Sequence, residues 1–106
     1  MEAYESLDDF LRALPGLAEP HRERLRGQDA LLRLVCGGRE AFVRLADGAV
    51  TVPENCRETP DCTLIAEEGV TLALISGRLN PMRALMTGKV RVQGDARLLM
   101  RLCRLL

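Results

Sequence analysis

The sequence is poor in the residues on which nucleic-acid recognition and membrane insertion depend. It has no Trp, one Tyr and two Phe, and its 15 basic residues are balanced by 15 acidic ones. Proteins that bind nucleic acid use a basic surface and often aromatic platforms, so we expect no nucleic-acid partner. No stretch reaches the roughly 18 apolar residues that a membrane-spanning helix needs, and we therefore expect a soluble protein.

Catalytic and metal-binding patterns are also missing. The one histidine, His21, lies among charged residues, and neither of the two serines, Ser6 and Ser76, sits in a G-x-S-x-G motif. A Ser-His-acid site therefore lacks its parts. The four cysteines form no C-x-x-C pair, whereas structural zinc sites bring their ligands in close pairs. We expect no catalytic residue, no metal and no cofactor.

Cysteine usage and the N-terminus bear on location. Free thiols in a reducing compartment are expected for Cys36, Cys56, Cys62 and Cys103, because the chain is long enough to fold without disulfides. The acidic N-terminus lacks the basic and apolar regions of a signal peptide. We therefore predict a cytoplasmic protein, and its length of 106 residues predicts one domain over residues 1–106.

Helical spacing marks the N-terminal quarter. Ser6 followed by Asp9 is a helix-start pattern, and apolar residues recur at helical spacing as far as the expected stop at Pro15-Gly16. A second, short helix is predicted between Pro20 and Gly27.

From Asp29 the apolar period changes to two, which is typical of strands. Gly37-Gly38 and Asp47-Gly48 supply two turns, and the second favours a tight hairpin with positive φ at both positions. A third strand begins at Val50, and a fourth covers residues 61–66 after a polar loop. We predict that these four strands form a meander.

Two helices, a strand and a last helix follow. The first helix runs from Glu67 to Ser76, and the second is capped by Asn80 and ends at Gly88. Residues 89–93 alternate as a fifth strand, and Asp95 caps the last helix. The prediction is an α+β fold with a five-stranded, mostly antiparallel sheet that helices cover on one face.

The last helix carries more apolar surface than docking on a sheet requires. On a helical wheel Arg97, Arg101 and Arg104 share an arc of about 60°, whereas the apolar residues spread over about 220°. The pattern leaves three alternatives open for the surplus apolar surface: it lines an internal cavity, it meets a partner, or it packs unusually deep in the core. Met82 and Met86, one helical turn apart, indicate an apolar surface that adapts to varied shapes.

Residues 76–95 carry a specific motif. They read G-R-L-N-P, then A-L-M-T-G-K, then a short strand ending in G-D. Upstream, the two predicted turns and the segment P-D-C-T-L at residues 60–64 follow in the same order. Over about residues 5–106 the chain resembles the sterol carrier protein 2 (SCP-2) family, and its N-terminal helix is similar to that of bacterial stand-alone members.

The resemblance implies a non-catalytic domain with an apolar tunnel between sheet and helices, which binds or transfers a sterol, fatty acid, acyl-CoA or phospholipid. The motif aromatic is Leu85 here, so the shape of the pocket is left open. From the apolar faces we predict these tunnel-lining residues: Leu74, Met82, Leu85, Met86, Leu98, Leu99 and Leu102. The alternative is an accessory or dimerisation module that uses the same apolar face.

The basic stripe of the last helix suggests a second partner. Arg97, Arg101 and Arg104 lie beside the apolar face, as in helices that bind membrane interfaces. We predict transient docking on an anionic membrane, by a protein that is a monomer or a weak dimer.

Overall fold

The computed structural model describes residues 5–98 and residue 100. The N-terminal helical region consists of α1 (Leu7–Ala18), a 3-10 turn (Glu19–His21) and α2 (Arg22–Leu25). The remaining elements are β1 (Ala30–Cys36), β2 (Arg39–Ala46), β3 (Ala49–Thr51), β4 (Cys62–Ala66), α3 (Glu68–Ile75), α4 (Pro81–Met86) and β5 (Val90–Gly94). Residues 96–98 and 100 are again helical.

The five strands form one sheet in the order β3-β2-β1-β4-β5. Three pairs are antiparallel, and β1 pairs with β4 in parallel, with Leu34 opposite Leu64. The α+β prediction with a mostly antiparallel sheet is confirmed. The meander of four strands is wrong, because the loop between β3 and β4 returns the chain to the far side of β1. The meander is limited to the first three strands.

The predicted stop of the first helix at Pro15-Gly16 is also wrong, since α1 continues to Ala18. Proline lacks the N–H that would bond to the carbonyl four residues earlier. Pro15 and Gly16 both lie on the exposed side of the helix, where water can satisfy that carbonyl. Continuing the helix also buries Leu14 and Ala18, which are 4% exposed each. This burial offsets the loss of the hydrogen bond that Pro15 cannot donate.

The predicted caps and hairpin turn are confirmed. The Ser6 hydroxyl accepts a hydrogen bond from the Asp9 N–H, and the Asn80 side chain accepts from the N–H groups of Met82 and Arg83. In the turn between β2 and β3, φ is 54° at Asp47 and 77° at Gly48. Because both values are positive, the turn has the twist that a two-residue hairpin needs.

The core lies between the helices and the inner face of the sheet. Each strand contributes alternate residues to it, such as Leu34, Val43 and Leu64, as the period of two requires. From the helical side the buried members of this core cluster are Leu7, Phe10, Leu14, Ala18, Leu25, Ala84 and Leu98. Helix α1 therefore packs across the sheet, and α3 and α4 complete the covering at one margin.

Candidate functional site

Helix α3 is apolar on nearly all sides but only partly covered. Its sequence after Glu68 is Gly-Val-Thr-Leu-Ala-Leu-Ile, and apolar residues show no preferred face. A helix of this kind is normally buried all round. Here only Thr71 and Leu72 are buried, while Val70, Leu74 and Ile75 are half-buried against the core. Part of the apolar surface of α3 is therefore open to contact.

Thr71 fixes this helix to the sheet. Its hydroxyl donates a hydrogen bond to the Glu67 carbonyl at 3.2 Å and lies 3.4 Å from the Cys36 Sγ. The buried polar group is thus satisfied, as buried hydroxyls require. This contact helps to set the orientation of α3 on the sheet, and Leu74 and Ile75 stay half-buried against the core.

Helix α4 turns a small residue inward and large ones outward. Ala84 is fully buried (0% exposed), whereas Met82 is 52% and Met86 83% exposed. The two methionines are four residues apart and lie on one side of the helix, roughly opposite Ala84. Leu85 lies between the two sides and is half-buried. The helix thereby presents apolar side chains at the surface.

The residues predicted to line a tunnel fall into three groups. Leu74 on α3 and Leu85 on α4 are half-buried, and Leu98 is buried at 2% exposure. Met82 and Met86 are exposed. Leu99 and Leu102 lie outside the described residues. Their role as lining residues stays a prediction.

The start of the last helix is as predicted. The Asp95 carboxylate accepts a hydrogen bond from the Arg97 N–H at 3.0 Å, and the Arg97 side chain is 93% exposed. Arg97 Nε lies 3.7 Å from the same carboxylate. Arg101 and Arg104, the other members of the basic stripe, lie outside the described residues.

A cavity of about 420 Å³ lies at the opposite edge of the sheet. It is bounded by the start of α1, the start of β2 and the segment Val52–Cys56. Because β3 pairs only with Arg44–Ala46, the first half of β2 is left at the sheet edge and forms one wall. Its lining is part polar, and it contains none of the predicted tunnel residues. The sequence analysis missed this cavity.

An ion pair lies at the rim of this cavity. Arg39 on β2 donates a hydrogen bond to Asp8 on α1, and its guanidinium is 3.9 Å from Glu68 on α3. The hydrogen bond from Arg39 holds the pKa of Asp8 below its ordinary value, since it stabilises the charged carboxylate. The hydrogen bond to Asp8 in turn raises the pKa of Arg39. These contacts connect three elements at the start of α1.

The described cysteines have free thiols, two of them buried. Cys36 and Cys62 lie in the core, and Cys56 is half-buried in the loop after β3. Burial raises the pKa of the Cys62 thiol, and a protonated thiol is a poor nucleophile and metal ligand. Among residues 5–98 and 100, no group of three or more His, Cys, Asp or Glu side chains lies close enough to hold a metal. The cytoplasmic location stays a prediction.

The helices of the described ranges are short. None of them is long and apolar enough to cross a membrane.

Comparisons with known proteins agree with this fold. Bovine sterol carrier protein 2 is 35% identical over 68 residues, which are 62% of this chain and 12% of the bovine protein. The solution structure of sterol carrier protein domain 2 of Helicoverpa armigera shares 29% identity and a TM-score of 0.69, over 91% of this chain and 81% of that one. The chain thus matches about an eighth of the length of its curated mammalian relatives.

A solved structure of a sulfatase shares the fold. The inverting sec-alkylsulfatase Pisa1 of a Pseudomonas species superposes with a TM-score of 0.84 at 20% identity, over 93% of this chain and 16% of that one. At this identity the likeness concerns the fold alone. The model of the family described as the SCP-2 sterol transfer family matches residues 7–106. The match includes the motif segments at residues 60–64 and 76–95. The chain belongs to the SCP-2 sterol transfer family.

Proposed function

We propose that this protein holds an apolar ligand between the inner face of its sheet and the helices that cover it. Sterols, fatty acids, acyl-CoA and phospholipids are the candidate ligands. The observation that carries the proposal is helix α3, which is apolar on nearly all sides although three of its large residues are only half-buried. A ligand that covers these residues removes further apolar area from water.

The energetics favour a long apolar ligand. Each buried methylene contributes about 0.8 kcal/mol, and ordering the ligand and the protein offsets part of that gain. A long acyl chain or a sterol skeleton thereby reaches micromolar affinity, at about 8 kcal/mol of binding free energy. Polar headgroups add little where the surrounding residues are apolar.

The predicted lining residues are assigned positions within this proposal. Leu74, Leu85 and Leu98 contact the apolar body of the ligand from three helical segments, together with Leu99 and Leu102. Met82 and Met86 are exposed, so in this proposal they lie at the outer end of the site. Methionine side chains adapt to ligands of different shape, which fits a site at its mouth.

We further propose that the protein performs no reaction on its ligand. Support comes from the buried Cys62 thiol with its raised pKa and from the half-buried residues of α3 and α4, which are apolar except for Glu68. Incubation with acyl-CoA, ester and sulfate-ester substrates should return the background rate. Turnover that scales with protein and disappears on one substitution contradicts this part of the proposal.

Transfer of the ligand requires contact with a membrane. In this proposal Arg97, Arg101 and Arg104 guide the protein to anionic membranes, and each cation contributes about 1 kcal/mol near an anionic leaflet. Lipid transfer between vesicles, timed with and without phosphatidylserine, compares the wild type with a variant in which all three arginines are changed to Gln. Equal rates for both proteins leave these arginines as ordinary solvated surface.

The main test is titration with a fluorescent fatty acid and a fluorescent sterol. The variant Leu74→Ala removes a half-buried side chain from α3, and Leu17→Ala removes the same group from a half-buried position on α1. We expect saturable binding by the wild type and by Leu17→Ala, and weaker binding by Leu74→Ala. Circular dichroism at each step verifies that the fold is intact.

Two outcomes refute the proposal. One is a folded wild-type protein with no saturable binding of either probe. The other is native mass spectrometry of protein purified without detergent that shows an empty dimer, which favours the dimerisation module. The prediction of a monomer or weak dimer is checked in the same spectrum.

A further inference from the structure

Helix α4 and the turns at its two ends form a surface of unusual composition. We define this α4 surface by five residues: Arg78, Met82, Arg83, Met86 and Lys89. Met82 and Met86 are the large hydrophobic side chains that the described part of the chain exposes, at 52% and 83%. They lie one helical turn apart and form a small exposed apolar patch, which a partner or a membrane can contact.

The charge around these methionines has one sign. Residues 69–94 contain four cations, Arg78, Arg83, Lys89 and Arg91, and neither Asp nor Glu. All four cations are exposed, and none of them forms an ion pair with a described residue. Their charge is therefore available to an anionic partner.

Three of the four arginines among residues 5–29 differ in this respect, the exception being Arg24. Arg12, Arg22 and Arg26 each lie within 3.6–3.8 Å of a carboxylate three residues earlier. Each of these charges is partly compensated by that neighbouring carboxylate. The net charge of the whole chain is zero, so the α4 surface is basic because of where the charges lie.

The backbone holds two of the cations at fixed positions beside α4. The Arg78 N–H donates to the Ala73 carbonyl at 2.9 Å, and the Lys89 N–H donates to the Ala84 carbonyl at 3.0 Å. Both bonds follow a glycine of positive φ and close the ends of α3 and α4, as in the Schellman motif. One cation thus stands before the exposed methionines and one after them.

We infer that the α4 surface docks on an anionic membrane. The methionine side chains enter the boundary between headgroups and acyl chains, and Arg78, Arg83 and Lys89 contact lipid phosphates and carboxylates. Two apolar side chains on a six-residue helix are too small for a stable protein interface, which buries about 800 Å² on each partner. They are sufficient for shallow insertion when cations add to the attraction.

This inference rests on the proposed function, which gives the docking its purpose. When the mouth of the ligand site faces the membrane, an apolar ligand passes between bilayer and protein without crossing water. It assigns docking to α4, in addition to the arginines of the last helix. The position of Met82 and Met86 at the outer end of the proposed site is consistent with both roles.

The test is co-sedimentation with phosphatidylcholine vesicles that contain or lack phosphatidylserine, since the absence of Trp limits intrinsic fluorescence. The charge variant carries Arg78→Gln, Arg83→Gln and Lys89→Gln. The matched control carries Arg12→Gln, Arg22→Gln and Arg26→Gln, which removes the same number of charges from the other side of the protein.

We expect the wild type and the control variant to bind the phosphatidylserine vesicles, and salt to weaken that binding. Each cation near an anionic leaflet strengthens binding about fivefold, so the charge variant should bind roughly a hundredfold more weakly. Changing both Met82 and Met86 to Gln should also weaken binding, whereas changing both to Leu should preserve it. This pair of variants separates insertion from charge attraction.

Equal losses in the charge variant and its control overturn the inference, because total charge then explains the binding. The inference is also overturned if soluble polyglutamate displaces the protein from the vesicles as effectively as added phosphatidylserine vesicles do. The surface then recognises acidic protein. The charge variant should keep wild-type affinity for the fluorescent ligand. If the wild type binds the vesicles but not the fluorescent ligand, the proposed function is refuted and the docking inference is not.

Discussion

Gly94 offers a quantitative test of the contact between β4 and β5. Its φ is +86°, and a Cβ built on it would overlap the carbonyl oxygen of Asp61 and lie 3.3 Å from the Cα of Cys62. The Asp95 N–H also donates to the Asp61 carbonyl at 2.9 Å. Because the obstacle is the backbone of Asp61 and Cys62, at the start of β4, it cannot move aside as a flexible side chain would.

The loss of unfolding free energy expected for Gly94→Ala is the sum of two contributions. A left-handed backbone costs a non-glycine residue about 1–2 kcal/mol, and weakening the bond between Asp95 and Asp61 costs about 1 kcal/mol. The free energy of unfolding should therefore fall by about 2–3 kcal/mol. For a domain of this size that lowers the melting temperature by roughly 15 °C.

Two other glycines serve as controls in the same thermal and urea unfolding experiments, followed by circular dichroism. Gly88 has a φ of +76° with open space around it, so Gly88→Ala should cost only the backbone contribution of about 1–2 kcal/mol. Gly16 is exposed inside α1 without a positive φ, and Gly16→Ala should stabilise by up to about 1 kcal/mol. Equal losses for Gly94→Ala and Gly88→Ala refute the role of the Asp61 contact.

Two further predictions concern titratable groups. Because Arg39 lowers the pKa of Asp8, their pairing stabilises the fold above the ordinary Asp pKa of about 3.9 and is lost as the pH falls through the lowered value. Asp8→Asn should destabilise at neutral pH and much less in acid, as measured by urea unfolding. The same pH-dependent loss in an Arg39→Gln background would show that Arg39 is not the cause. Because burial raises the pKa of Cys62, brief alkylation followed by peptide mapping should modify the half-buried Cys56 first; equal labelling of the two thiols contradicts that order.

Local features of the fold were predictable because they depend on short stretches of chain. The caps at Ser6, Asn80 and Asp95 each need one polar side chain and the two or three residues that follow it. The Asp47-Gly48 turn needs only residues that tolerate positive φ. The family was likewise recognisable from one motif of 20 residues and the turns upstream of it.

Strand pairing beyond the hairpins was not predictable in this way. The alternating pattern of β4 indicates which side faces the core, but it is the same whether β4 pairs with β3 or with β1. The continuation of α1 through Pro15 has a similar origin. Its stability depends on burying Leu14 and Ala18 against the sheet, and that contact is invisible to a local rule about proline.

The candidate surfaces divide along the same line. The sequence by itself determined that α3 and α4 are rich in apolar residues, that residues 69–94 lack acids and that the last helix begins at Asp95. The packing of the elements decided that Ala84 faces the core while Met82 and Met86 face outward, and that a cavity opens beside the half of β2 that β3 does not cover. The physical reason is that periodicity specifies which residues share a face, whereas the packing of neighbouring elements decides which face is covered.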